Sequence, residues 1–108
     1  MAAKTRILIV EPDIDLLSKI YLTLVHKNYR AEAITKAEEL GDRIKKFKPA
    51  VVVIGYDNYA ASKLKIRTPL VVMAARGQLY AAPGDDIIVL ETPLQLDKLA
   101  PTIEKLVV

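Results

Sequence analysis

The 108-residue sequence contains no cysteine, no tryptophan and a single histidine, His26. Without cysteine the chain can form neither a disulfide framework nor a thiolate metal site, and nucleophilic catalysis by a thiolate is excluded. One histidine is too few for a histidine-rich zinc cluster, and His26 is better placed to complement the dipole at the end of a helix. No apolar run approaches the roughly 18 residues that a membrane-spanning helix needs. Only four consecutive apolar residues, 7–10, follow the N-terminus, too few for the core of a signal peptide, so we expect a cytoplasmic protein.

A strong excess of charge of one sign is also missing. Sixteen basic and thirteen acidic residues leave a net charge of +3, without the clustered positive stripe that is typical of a nucleic-acid-binding domain. The basic residues within 45–48 and 63–67 fit solvated helix exteriors. Nucleic-acid binding through these lysines and through Tyr56, Tyr59 and Tyr80 is the weakest of the functional hypotheses. The 52% hydrophobic content predicts a folded core, and the length favours one domain over residues 1–108.

Short apolar runs alternate with helical patterns along the chain. Four runs are continuous and rich in β-branched residues, as is typical of strands covered on both faces: 7–10, 51–54, 70–73 and 87–90. A fifth run, 30–34, has mixed polarity and suits the edge of a sheet. The pattern predicts five strands.

Three apolar stripes at helical spacing lie between or after these strands. Asp13 is placed to cap the first helix, and residues 35–38 have the pattern of a capping box before the second, which Pro49 ends. Pro101 lies inside the third stripe and costs one backbone hydrogen bond unless that helix starts late. The stripes consist of Leu17, Ile20, Tyr21 and Leu24; of Ala37, Leu40, Ile44 and Phe47; and of Leu96, Leu99, Ile103 and Leu106.

This alternation predicts an α/β fold: a single-domain, doubly wound parallel sheet of five strands in the flavodoxin-like order 2-1-3-4-5. The third and fourth helices are expected to be shortened. Only residues 60–65 are available for a helix before Pro69, and only 78–82 before Pro83.

Six segments follow one another in a characteristic order over nearly the whole chain. They are KTRILIVEPD at 4–13, DLL at 15–17, NYRA at 28–31, KPAVV at 48–52, PLVVMAARG at 69–77 and TPLQLDKL at 92–99. Together they resemble the receiver domain of bacterial two-component response regulators, the chemotaxis-type fold. The resemblance implies the same doubly wound architecture and a place in signal transduction.

The resemblance also implies a phosphorylation site whose residues are largely replaced in this sequence. The aspartate that accepts the phosphoryl group in the family corresponds to Gly55, which has no side chain. The two acidic residues that hold magnesium after the first strand correspond to Glu11 and Pro12, with Asp13 one position too late. Glu11 and Asp13 are therefore interpreted as vestigial acidic residues, Asp13 with a capping role.

Two further positions of the family pattern lack the side chain that acts in phosphoryl transfer. Ala74 stands where the family has a threonine or serine after the fourth strand, and Thr92 where it has a lysine. Phosphoryl transfer depends on in-line positioning and on positive charge at the equatorial oxygens. Without the nucleophile, the hydroxyl, the lysine and one carboxylate, we expect no catalysis, no metal and no cofactor: a degenerate pseudo-receiver rather than an enzyme.

Asp57 is the alternative acceptor, because it lies two residues beyond Gly55 and could point to the same side. The competing interpretation is a polar residue in a strand-to-helix turn, with Asn58 beside it. If Asp57 is the acceptor, the chain is a divergent response regulator receiver that is still phosphorylated.

The residues after the third and fourth strands suggest what replaced the chemistry. Ligands of doubly wound sheets bind at the carboxyl ends of the strands, and tyrosine and arginine are frequent interface anchors. The candidate binding face consists of Tyr56, Asn58, Tyr59, Arg76 and Tyr80. The alternative is that the tyrosine rings only cover the emptied pocket or the sheet. The favoured hypothesis is a phosphorylation-independent protein-interaction module in bacterial signalling or regulation, with another signalling protein or a second copy as partner.

Overall fold

A computed structural model describes residues 4–61, 68–75 and 86–107 of the chain. Its strands are β1 (Arg6–Val10), β2 (Arg30–Ile34), β3 (Val51–Gly55), β4 (Leu70–Ala74) and β5 (Ile87–Glu91). Its helices are α1 (Ile14–His26), α2 (Leu40–Phe47), α3 (Tyr56–Ala61) and α4 (Leu99–Val107), and short 3₁₀ turns (Ala37–Glu39, Leu96–Lys98) precede α2 and α4. None of the helices in these ranges is long and apolar enough to cross a membrane.

The five strands form one parallel sheet in the order β2-β1-β3-β4-β5, which confirms the predicted doubly wound fold. Side chains alternate between its two faces. On one face Ile7 and Val53 pack with the buried residues of α1 and α4. On the other, Leu8 and Ile54 pack with Leu40 and Phe47 of α2.

Burial follows position in the sheet. The residues of β3 from Val51 to Ile54 and all of β4 are buried, as the continuous apolar runs predicted. The residues of β2 are mostly half-buried or exposed, as predicted for an edge strand. The expectation that residues 87–90 are covered on both faces was wrong, since they are only half-buried. The reason is that β5 is the other edge of the sheet and pairs with β4 alone.

The first helix is capped as predicted. The Asp13 carboxylate accepts hydrogen bonds from the backbone N–H groups of Asp15 and Leu16 at 3.0 and 3.3 Å, which satisfies two donors that a helix leaves free. Leu17, Ile20 and Leu24 are buried against the sheet, but Tyr21 is 39% exposed. The prediction that Tyr21 belongs to the core face of α1 was therefore wrong, because its Cα lies about 100° round the helix from that of Ile20.

The predicted capping box before α2 is not formed. The N–H of Glu39 donates to the carbonyl of Lys36, which closes a 3₁₀ turn at 3.2 Å, and α2 begins at Leu40 without a side-chain cap. The 3₁₀ turn thus stands between residue 35 and the α-helix. Lys48 takes the left-handed conformation that ends α2, and Pro49 follows.

The last two helices differ from the sequence pattern in where they start. The α-helical part of α4 begins at Leu99, so Pro101 falls in its first turn, where an N–H has no helical partner anyway. Helix α3 starts at Tyr56, immediately after β3, rather than at residue 60. Residues 62–65, which are most of the predicted third helix, lie outside the described residues. So do residues 78–82, the short helix that was predicted between β4 and β5.

Candidate functional site

The carboxyl ends of β1, β3 and β4 meet at one edge of the sheet, because Val10 is in register with Ile54, and Gly55 with Met73. A pocket of about 210 Å³ opens there. Its described lining residues are Glu11, Pro12, Leu16, Gly55, Tyr56, Asp57, Asn58, Met73, Ala75 and Thr92. The structure therefore brings together seven of the positions singled out in the sequence by chemistry or resemblance: Glu11, Pro12, Gly55, Tyr56, Asp57, Asn58 and Thr92.

Glu11 supplies one of the two carboxylates of this pocket. It follows β1, is half-buried, and its Oε2 accepts a hydrogen bond from the N–H of Asp13 at 3.0 Å. Its other oxygen, Oε1, lies 3.8 Å from the place that a Cβ on Gly55 would occupy. A side chain at position 55 would thus begin beside the Glu11 carboxylate, in ordinary van der Waals contact and without steric conflict.

Gly55 is not required by the shape of the backbone. Its φ lies outside the left-handed region that favours glycine, and the space in front of it is open enough for a Cβ. Position 55 thus has room for the Cβ from which an acceptor side chain would start, but the residue there carries no side chain.

Asp13 is separated from the pocket by its capping role. Its Oδ1 is held by the first turn of α1, and its side chain does not line the pocket. To reach a metal beside Glu11 it would have to release both N–H groups, at a cost of about 1 kcal/mol in helix capping. Pro12, which does line the pocket, has no side-chain oxygen.

Of the described residues that follow β4 and β5, those that line the pocket, Ala75 and Thr92, carry no positive charge. Ala74 is 2% exposed and does not line the pocket, and its carbonyl accepts a hydrogen bond from the N–H of Thr92 at 3.0 Å. Thr92 lines the pocket and is followed by a cis peptide bond to Pro93. The described lining residues include two carboxylates, those of Glu11 and Asp57, and no lysine or arginine.

This donor set does not fit the magnesium ion that receiver domains hold. Magnesium demands near-octahedral oxygen ligands, and Pro12 and Gly55 supply no side-chain oxygen at two of the positions that matter. Within residues 4–61, 68–75 and 86–107, no three His, Cys, Asp or Glu side chains come together in a group that could hold a metal ion.

The segment after β3 is helical, so the interpretation of Asp57 and Asn58 as residues of a strand-to-helix turn was wrong. The chain passes directly from Gly55 into α3, which places Asp57 in the first helical turn, where a negative charge is favourable. Asp57 is exposed and Asn58 half-buried, and both line the pocket. Asp57 therefore lies at the mouth of the pocket.

The two described tyrosines of the candidate binding face have different surroundings. Both Tyr56 and Tyr59 are half-buried and pack against the core on the α2 face of the sheet. Tyr56 also lines the pocket, whereas Tyr59 does not. Arg76 and Tyr80, the other members of that face, lie outside the described residues.

Three lining residues were not singled out from the sequence: Leu16, Met73 and Ala75. All three are apolar and carry no signal of chemistry in the sequence. Leu16 belongs to the first turn of α1, while Met73 and Ala75 lie at the end of β4. They add apolar surface to the lining of the pocket.

A larger groove, of about 600 Å³, lies between the β2 edge and α2. Its described lining residues carry four basic and four acidic side chains, and each of the three arginines contacts a neighbour. Arg43 forms an ion pair with Glu32 at 2.8 Å, Arg6 donates to the carbonyl of Phe47 at 3.2 Å, and Arg30 lies 5.9 Å from the centre of the Phe47 ring. The groove therefore presents neither a basic stripe nor a catalytic constellation.

The pKa of Tyr29 is raised by burial and, to a smaller extent, by the negative charge of Glu104. Tyr29 immediately precedes β2, so it lies at the amino ends of the strands. The pocket is at the opposite, carboxyl ends. This perturbed group consequently reports on packing between α1, β2 and α4 rather than on the candidate site.

No protein-family model and no curated protein matches the sequence. The structure, however, is similar to solved receiver domains. It resembles a response regulator signal receiver domain from Bermanella marisrubri (TM-score 0.73, 19% identity, covering 98% of this chain and 100% of that one). It also resembles a CheY-like response regulator receiver domain from Methylobacillus flagellatus (TM-score 0.76, 14% identity, 96% and 99% covered).

A sensor protein from Polaromonas sp. JS666 is similar over the same extent, with a TM-score of 0.79, 18% identity and 97% of each chain covered. At such low identities the likeness is one of fold. The chain thus has the CheY-like, flavodoxin-like fold that its sequence motifs predicted.

Proposed function

We propose that this chain is a phosphorylation-independent pseudo-receiver, which acts as a protein-interaction module in bacterial signal transduction or regulation. The observation that carries the proposal is the geometry at position 55. The space beside the Glu11 carboxylate accepts a Cβ at 3.8 Å, yet the residue there is a glycine. The likeness of fold to receiver domains supports the signalling context.

The nucleophile is missing at the position where the receiver fold presents one. An acceptor must lie in line with the phosphorus of the donor, and a displacement of about 1 Å can cost a hundredfold in rate. Asp57 is two residues further on, in the first turn of α3 and exposed. Its carboxylate is thus attached to a different element from the one that ends at Gly55.

The charges that line the pocket also oppose phosphoryl transfer. The described lining residues contribute two negative charges and no positive one, so a phosphoryl donor would meet repulsion instead of the positive charge that stabilises the transition state. We therefore propose no catalytic residue, no cofactor and no role as an enzyme. The cytoplasm stays the predicted location.

Under the proposed function, the surface at the carboxyl ends of the strands serves for binding. Tyr56 and Asn58 are half-buried and line the pocket with part of their surface accessible. With Tyr59, Arg76 and Tyr80 they make up the proposed binding face, and another signalling protein is the proposed partner. Tyrosine side chains suit this role because they combine apolar area with a hydroxyl group and lose little conformational entropy on binding.

Phosphorylation on Asp57 is the second candidate function, and one observation favours it: Asp57 is exposed and lines the pocket that contains Glu11. The two hypotheses differ in a single measurement. The chain is incubated with acetyl phosphate and Mg²⁺, and its intact mass is recorded before and after acid treatment. We expect no added phosphoryl group, in the original chain or in the Asp57→Asn variant.

The control for this experiment rebuilds the site. A variant with Gly55→Asp, Pro12→Asp and Thr92→Lys restores the acceptor, a metal ligand and the ammonium group in the same fold. Labelling of this variant alone would show that the assay works and that the original residues are deficient. Acid-labile labelling of the original chain that is lost in Asp57→Asn, but kept in a matched Asp15→Asn variant, would establish the second candidate instead.

The binding face is tested with affinity capture from the bacterial source. We expect a specific protein to bind regardless of acetyl phosphate, and its recovery to fall at least about tenfold when Tyr56→Ala and Asn58→Arg are combined. Lys45→Ala, an exposed change on α2, is the control. Capture that needs acetyl phosphate, or that is unaffected by the double variant, would contradict the proposed function.

A further inference from the structure

Helix α1 exposes an unusual amount of apolar surface on the side away from the sheet. Ile14 is 60% exposed, Leu22 54%, Val25 40% and Tyr21 39%. Of the large apolar side chains that are exposed within the described residues, only Val107 is not on this helix. Exposed apolar side chains that cluster on one element mark an interaction surface more often than scattered ones do.

The spacing of these residues is that of a helix-pairing seam. Ile14, Ser18, Tyr21 and Val25 are separated by steps of four, three and four, which is the heptad pattern of a coiled coil. At 100° per residue their Cα atoms fall within an arc of about 60°, and Leu22 lies beside them. We call these five residues the outer stripe of α1. It is distinct from the buried face of the helix, which packs on the sheet.

We propose that the outer stripe pairs with the same stripe of a second copy of this chain, with the two α1 helices antiparallel. The pattern of sizes is self-complementary in this orientation. A two-fold axis at the middle of the stripe places Ile14 opposite the partner's Val25, and Ser18 opposite the partner's Tyr21. Each large ring thus meets a small residue. In a parallel pair, tyrosine would meet tyrosine and serine would meet serine, which leaves crowding at one level and a void at the next.

The polar side chains along the rim agree with the antiparallel orientation. Asp15 lies in the first turn of α1, and His26 in its last turn, on the same side of the outer stripe. An antiparallel pair brings the Asp15 carboxylate of one copy near the partner's His26, and it also opposes the two helix dipoles. A parallel pair would place Asp15 level with the partner's Asp15. A two-fold arrangement of identical surfaces is also the commonest symmetry of small homo-oligomers.

The expected dimer is weak. Helix α1 has 13 residues and is therefore about 20 Å long. One stripe of that length buries less than the roughly 1,200 Å² of a stable interface. We expect a dissociation constant on the order of 0.1 mM, so the contact would form where the local concentration is high. This inference does not rest on the proposed function, because the outer stripe is separate from the pocket and from the proposed binding face.

Sedimentation equilibrium of the full chain between about 10 μM and 1 mM tests the association. We expect the mean mass to rise with concentration, and the association constant to fall at least about tenfold in the Leu22→Glu variant. Lys45→Ala, an exposed change on α2, lowers the net charge by one unit, as Leu22→Glu does, and serves as the control. The original chain remaining monomeric at 1 mM would overturn the proposal.

Disulfide trapping tests the orientation, and the absence of native cysteine makes it unambiguous. In an antiparallel pair, Ser18→Cys and Tyr21→Cys on different copies come within the reach of a disulfide, whereas two Ser18→Cys copies are offset along the helix and lie beyond it. We expect mild oxidation of a mixture of the two variants to give mainly the mixed dimer. Ile14→Cys with Val25→Cys provides a second pair that leaves Tyr21 in place.

Several results would refute the antiparallel dimer. Oxidation that gives mainly Ser18→Cys homodimers would indicate a parallel pair, and equal yields from all combinations would indicate random collision. A chain that stays monomeric at 1 mM, but whose α1 resonances shift when an unrelated amphipathic helical peptide is added, would assign the outer stripe to another protein. None of these outcomes depends on whether the chain is phosphorylated.

Discussion

Replacing Gly55 offers a quantitative test of the pocket geometry. Gly55→Ala adds one Cβ, which meets its nearest neighbour, Oε1 of Glu11, at 3.8 Å, and the backbone there is open to any L-residue. The change therefore introduces no steric cost, and it removes conformational freedom from the unfolded chain. We expect a stabilisation of about 0.4–1 kcal/mol.

Gly55→Asp adds the same Cβ and a carboxylate beside Glu11. Two like charges about 4 Å apart repel each other by about 1 kcal/mol in water and by about 4 kcal/mol at an effective dielectric constant of 20. The 3.8 Å distance is that of the Cβ from Oε1 of Glu11, and the new carboxylate lies beyond its Cβ, so the larger value is an upper bound. Because Glu11 is only half-buried in an open pocket, we expect a penalty of about 1–2 kcal/mol relative to Gly55→Ala. The penalty should shrink in high salt, where the repulsion is screened.

Urea denaturation followed by circular dichroism measures both changes. With an unchanged slope m, the midpoint should move to higher urea for Gly55→Ala and back toward or below the original value for Gly55→Asp. In thermal unfolding the alanine variant should gain about 2–8 °C. An alanine variant less stable than the original chain would refute the open space at position 55. An aspartate variant more stable than the alanine variant in low salt would refute the proximity of Glu11.

Three further predictions test other features of the structure. Asp13→Ala should cost about 1 kcal/mol in the free energy of unfolding, because it removes the cap of α1, whereas Thr35→Ala should cost less than about 0.5 kcal/mol; equal losses in urea denaturation would contradict the assigned caps. Since burial raises the pKa of Tyr29 above 10.0, the folded state holds this proton more tightly than the unfolded state. Its contribution to stability is present below pH 10.0 and is lost as the pH rises through the raised pKa, so Tyr29→Phe should show a smaller alkaline loss; an unchanged loss would be evidence against the assignment. Arg43→Met should cost at most about 1 kcal/mol, because the side chains of Arg43 and Glu32 are 37% and 35% exposed; a loss that does not diminish with added salt would argue against an ion pair as its source.

Much of the fold was predictable because the central strands leave an unambiguous pattern. Residues 51–54 contain no polar side chain, as a strand buried on both faces requires, and the structure places all four in the core. The run at 87–90 has the same pattern but lies at an edge. Periodicity alone does not distinguish a central from an edge strand when the edge strand is apolar on both sides.

The errors in the helices have local physical causes. Asp57 and Asn58 favour turns as isolated residues, but an acidic residue is equally favourable in the first turn of a helix, and here α3 starts without a connecting loop. The box at 35–38 matches a capping motif, yet the 3₁₀ turn at 37–39 displaces the helix from it. Where each helix starts depends on the position and direction in which the preceding strand ends. The sequence pattern gives neither.

The site was predictable in part. That residues 11 and 55 lie side by side follows from the parallel strands that end before them, and the structure gives their separation. Which of the two nearby acids faces the pocket did not follow from the sequence. Asp13 can serve as a helix cap or as a ligand with the same spacing, and only its hydrogen bonds to the N–H groups of α1 decide between them.

The most direct test of the central claim uses nuclear magnetic resonance. The amide resonances of the chain are recorded during titration with Mg²⁺ and then with Mg²⁺ and beryllofluoride, an analogue of the phosphoryl group. If the pocket lacks the groups that hold Mg²⁺ and beryllofluoride, the amide resonances of Glu11, Gly55 and Asp57 will show no saturable shift at millimolar concentrations of either ligand. Saturable shifts centred on these residues, and strongest with beryllofluoride present, would contradict the account.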